Sequence, residues 1–106
     1  NFRLGKSKYL IIEADEYKDS FLNYALAIEY AKAGDIKKAI QFIEDLLIRD
    51  STYLGAYYQL GKYYEQTEQP QAAAAIYTKG IAIARQQQNR KTLGELNEAL
   101  MVLEDE

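Results

Sequence analysis

Sliding the chain over itself by 34 positions brings like onto like. Tyr24 falls on Tyr58, Leu26 on Leu60, Tyr30 on Tyr64 and Ala39 on Ala73, while small Ala27 meets Gly61 and large apolar Ile43 meets Tyr77. An internal period of this length means one supersecondary unit used more than once, each copy unable to bury its apolar face alone. The two copies are residues 20–53 and 54–87.

Inside each copy the apolar residues recur with a helical period. In the second, Leu54, Tyr57, Leu60, Gly61 and Tyr64 share one face, so the tyrosine-rich YLGAYYQLGKYYEQ is a helix despite the strand preference of tyrosine. A new helix starts near Pro70, tolerated at a first helical position, and carries Ala73, Ile76, Tyr77, Gly80, Ile81 and Ala84. In the first copy Leu22, Leu26, Ala27 and Tyr30 make the first face. Gly34-Asp35 then supplies a helix stop and an N-cap before Ile36, Ala39, Ile40, Ile43, Leu46 and Leu47. Helices are predicted over 20–33, 36–49, 54–67, 70–88 and 91–104. Small Ala27, Gly61, Ala39 and Ala73 stand where two helices approach to roughly 8–10 Å. Tyr57, Tyr64 and Tyr77 are expected in the core, whereas Tyr58 and Tyr63 point elsewhere on their helix and are open to another use.

The spacing and residue types together resemble the tetratricopeptide repeat, whose pattern is Trp, then Leu-Gly three residues on, then Tyr, Ala, Phe and Pro. Tyr57 stands at the Trp position, Leu60-Gly61 at Leu-Gly, Tyr64 at Tyr, and Ala73 and Tyr77 at Ala and Phe; Arg85 replaces the closing Pro. The first copy matches at Leu26-Ala27, Tyr30, Gly34-Asp35, Ala39 and Ile43, with Asn23 at the Trp position and Ser51 at the Pro position. The resemblance implies an all-α fold of antiparallel helix pairs stacked as a short right-handed solenoid. It also implies a scaffold whose first helices line a groove for a partner peptide or helix. Carried over by position, the groove comprises Phe21, Tyr24, Ala25, Ile28 and Lys32 from the first copy, and Tyr58, Gln59, Lys62, Glu65 and Gln66 from the second. Some members of the family clamp a terminal carboxylate with Lys and Asn. Tyr24, Ile28 and Gln59 occupy those places here, so an aromatic-apolar groove with one central cation is expected instead. The competing reading of Tyr24 and Tyr58 is that they stack on neighbouring helices.

The two ends read differently. Residues 88–106 form a C-terminal capping helix with Leu93, Leu96, Leu100 and Leu103 on one stripe and Glu95, Asn97, Glu98 and Glu104 outside it. Residues 1–19 are a lead-in or cap, with Leu4, Tyr9, Leu10 and Ile12 covering the first copy and Glu13, Asp15, Glu16 and Asp19 solvated. GKSKYLIIEADEYKDSF, Gly5 to Phe21, also resembles an acidic motif of the ATP-dependent Mur ligases, in which the residue matching Glu13 helps hold a metal. The chain lacks that family's Gly-rich phosphate loop, so a fragment related to such a ligase is the remote alternative. The chain opens on Asn1 rather than Met, so a preceding segment is expected.

Composition narrows the chemistry. Among 106 residues there is no cysteine and no histidine, which removes thiolate and imidazole nucleophiles and nearly all zinc and haem sites. A net charge of −3 argues against a nucleic-acid binder, and RQQQNRK, Arg85 to Lys91, reads as a solvated helix end. No apolar run approaches the roughly 18 residues of a membrane span, and no signal-like start is present, so the expected location is cytoplasmic. The expectation is a non-catalytic interaction module with no cofactor and no metal, bound to a protein partner. The alternative is a homo-oligomeric assembly module that buries its open face against a second copy.

Overall fold

The computed structural model describes residues 19–105. Five helices occur in this range, and no strand. They are α1 (Ser20–Lys32), α2 (Ile36–Arg49), α3 (Leu54–Gln66), α4 (Pro70–Gln87) and α5 (Arg90–Glu104). The fold is all-α, as the period predicts, and each bound lies within one residue of expectation. The predicted roles of residues 1–18 fall outside the described residues.

The helix ends show why. Asp19, Asp35 and Asn89 are N-caps whose side-chain oxygens accept from the backbone N–H of Leu22, Lys38 and Thr92, each at 3.1 Å. Pro70 opens α4 without a side-chain cap. Helices α1, α3 and α4 stop in the same way, with a residue in the left-handed region: Gly34 (φ 94°), Glu68 (φ 59°) and Gln88 (φ 57°). The following N–H then reaches back five residues, from Asp35 to the carbonyl of Tyr30 and from Gln69 to that of Tyr64. This is the closed Schellman turn, and it recurs at Gly34 and Glu68, one repeat apart. Glycine fits that conformation without strain; glutamate holds it through the turn's own hydrogen bonds.

The chain divides into two compact units, one through Ser51 and one from Thr52 onward. In the first, α1 packs on α2. Its core holds Leu26 and Ala27 with Ala39, Ile40, Ile43 and Leu46. Tyr30 stacks on Phe42 with ring centroids 5.4 Å apart, and the Lys38 ammonium lies 5.8 Å from the Tyr30 ring. Asn23, at the position where the family pattern has Trp, is fully buried. Its Nδ2 has no hydrogen-bond partner among the described residues.

In the second unit α3, α4 and α5 pack together. Gly61 is the closest approach. A Cβ there would lie 2.1 Å from Cε1 of Tyr77, so the tyrosine ring of α4 rests directly on the α3 backbone. Gly80 does the same for Tyr57 of α3 and Leu96 of α5: a Cβ there would meet them at 2.7 and 3.0 Å. Gln87 Nε2 donates to the Thr52 carbonyl at 2.8 Å, tying the end of α4 to the start of this unit. Tyr57 and Tyr77 are core, as expected. The other two expectations are corrected: Tyr63 is buried at 4% exposure and Tyr64 is only half-buried. Ala56, Leu60 and Tyr63 recur at four- and three-residue steps and form a second buried stripe beside Leu54, Tyr57 and Gly61. An amphipathic surface helix shows one such stripe, whereas α3 is covered over a wider arc.

Candidate partner-binding surface

What the core leaves uncovered on α3 is a narrow strip. Tyr58, Lys62 and Glu65 follow at four- and three-residue steps and are half-buried, as is Gln59; Gln66 is exposed. The structure brings the first three into one cluster around a residue of α4. The Tyr58 ring lies 6.4 Å from the Tyr77 ring at a 41° tilt. The Lys62 ammonium sits 5.3 Å from the Tyr58 ring centroid, within cation–π range. The Tyr77 hydroxyl donates to Glu65 Oε2 at 2.5 Å.

That last bond joins residues assigned to different roles. Tyr77 was expected as core and is fully buried, whereas Glu65, expected to face a groove, is half-buried. The ring crosses Gly61, and Glu65 lies four residues further along the same side of α3, where the hydroxyl emerges. A buried tyrosine oxygen needs a partner. The signal was present in the sequence, since the family pattern has Phe at this position and Tyr adds a hydroxyl. Burial, then the hydrogen bond to Glu65 and the nearby negative charge, push the Tyr77 pKa well above the ordinary tyrosine value.

In the first unit the corresponding strip runs along α1. Phe21 is 68% exposed, Tyr24, Ala25 and Ile28 are half-buried, and Lys32 is exposed in a 3.6 Å ion pair with Glu29. Among the described residues no group of three or more carboxylates is placed to hold a metal ion. No described helix is long and apolar enough to cross a membrane.

Helix pairs closed by matching turns, with small residues at the crossings, define a helical-repeat protein. A tetratricopeptide repeat family model matches residues 54–87. The solution structure of a tetratricopeptide repeat domain protein from Salinibacter ruber is 38% identical, with a TM-score of 0.80 over 82% of this chain and 88% of that one. Its crystal structure agrees at 38% identity and a TM-score of 0.78, covering 82% of this chain and 97% of that one. The chain belongs to the tetratricopeptide repeat family. A solution structure of a Bordetella parapertussis protein, 22% identical, shares the fold at a TM-score of 0.80 over 99% of this chain and 90% of that one. No curated protein matches the chain.

Proposed function

We propose that this chain is a non-catalytic interaction module that receives a peptide or helical segment of a protein partner on the first helix of each repeat. In the second unit the receiving face is Tyr58, Gln59, Lys62, Glu65 and Gln66; in the first it is Phe21, Tyr24, Ala25, Ile28 and Lys32. The observation that carries this reading is the division of α3. Six of its residues are buried, yet Tyr58 is only half-buried, with the Lys62 ammonium over its ring and Tyr77 packed against it. Membership of a family that commonly serves protein interaction supports the same reading, and so does the absence of histidine and cysteine nucleophiles. Partly exposed aromatic rings on rigid helices offer contact area at low entropic cost, and interface anchors are enriched in them.

Selection of a random linear peptide library on the intact chain tests the reading. Binders are expected, and the Tyr24→Ala/Tyr58→Ala double variant should weaken them by about 1–2 kcal/mol per anchor. Binders indifferent to both substitutions would place the docking face elsewhere.

A second reading, self-association, is favoured by Met101 and Val102, adjacent on α5 and 60% and 55% exposed. A mass that rises with concentration in sedimentation, and falls back on Met101→Gln/Val102→Gln substitution, would support it. A constant monomer mass would remove it.

A further inference from the structure

We infer that Glu65 sets the specificity of the α3 face, and that it accepts an arginine side chain of the partner segment lying against Tyr58. This deepens the interaction reading above and rests on it.

Three observations converge on Glu65. Its carboxylate is fixed: the fully buried Tyr77 reaches across Gly61, where any Cβ would collide with the ring, and donates its hydroxyl to Oε2. A carboxylate bears about four lone-pair sites, and this bond uses one of them. Oε1 and the outer side of Oε2 have no hydrogen-bond partner or ion pair among the described residues.

The nearest cation on the same helix does not neutralise it. Lys62 precedes Glu65 by three residues, the less favourable order for a helical ion pair, and its ammonium lies over the Tyr58 ring instead. The strip therefore presents an oriented carboxylate with no ion pair among the described residues, on the same helix as half-buried Tyr58 and joined to it through Tyr77, which both touch.

An oriented carboxylate with lone pairs to spare matches a guanidinium better than any other side chain. It is planar and donates a rigid fork of N–H groups to a carboxylate whose orientation is already set. An ammonium would meet the charge but not the fork. An acidic segment would face Glu65 with like charge. Tyr77 is then a positioning residue: its hydroxyl holds the acceptor and touches no partner atom.

The test uses the same random linear peptide library, selected on the intact 106-residue chain. Arginine should be enriched at one position beside an apolar or aromatic residue. Replacing that arginine by glutamine in the best binder should lower its affinity on the order of tenfold. Glu65→Gln, which keeps an oxygen for the Tyr77 hydroxyl, should lower the affinity of the arginine peptide to a similar degree. It should leave that of the glutamine peptide unchanged. Tyr77→Phe should weaken the arginine peptide selectively by a smaller factor. Binders that are neutral or acidic, or arginine binders indifferent to Glu65→Gln, overturn the inference while leaving the interaction reading in place. A library that yields no binder at all overturns both.

Discussion

Tyr77 and Gly61 form one device, and its energetics can be tested residue by residue. The glycine is required by a ring, not by a backbone angle: a side chain at 61 must displace Tyr77 from both the core and Glu65. Gly61→Leu should therefore cost roughly 1–3 kcal/mol in thermal or urea denaturation, and a neutral result would contradict the close approach. The hydroxyl has its own signature. The pKa of Tyr77 is raised in the fold, so its contribution to stability is fully present below the ordinary tyrosine value near 10 and is lost as pH rises above it. Stability should decline more steeply above about pH 10 in the native chain than in Tyr77→Phe, measured by denaturation along a pH series. Asn23 gives the opposite case. Its buried amide lacks a partner among the described residues, and Asn23→Leu should raise stability by about 1–2 kcal/mol, read as a higher melting temperature. The repeat register already marked Asn23 as out of pattern, because a polar residue occupies an aromatic position. Register cannot report burial, and nothing in the sequence shows that the amide goes unmet.

At the scale of helices, the ends were the most legible features because their chemistry is written in single residues. Asp35 was read as an N-cap and Pro70 as a helix start, and both are so; Asp19, expected only to be solvated, and Asn89 also cap helices through one side-chain oxygen. Asp35→Ala should cost about 1 kcal/mol, seen as a lower midpoint in urea without a change in slope. What composition could not show is that Glu68 and Gln88 take the left-handed turn that Gly34 takes, since neither residue type advertises that conformation. The buried faces were harder to read than the ends. A single helical stripe accounts for Tyr57 and Leu60, but the burial of Tyr63 depends on how wide an arc of α3 is covered. Tertiary packing decides that arc, and a one-dimensional pattern carries one stripe at a time. The same limit hid the Tyr77–Glu65 bond. Its two residues belong to different helices, and the ring reaches across only because Gly61 lies between them.

For the whole molecule, the account turns on two adjacent tyrosines with opposite duties. Tyr57 is 5% exposed and closes the contact of α3 with Gly80 of α4. Tyr58, the next residue, stands half in solvent between Tyr77 and Lys62. The 34-residue register aligned Tyr58 with Tyr24, and the resemblance to the tetratricopeptide repeat implied that both line a binding face. That face is the functional claim, while the family and the all-α fold stand without it. The most direct measurement is a melting temperature and a peptide affinity for Tyr57→Ala and Tyr58→Ala, side by side. Tyr57→Ala should lose about 3–5 kcal/mol of stability through the cavity it leaves. Tyr58→Ala should stay folded, lose about 1 kcal/mol or less, and weaken the selected peptide by about 1–2 kcal/mol. If Tyr58→Ala instead unfolds the chain as readily as Tyr57→Ala, or binds the peptide unchanged, Tyr58 is packing and the binding face is not where we place it.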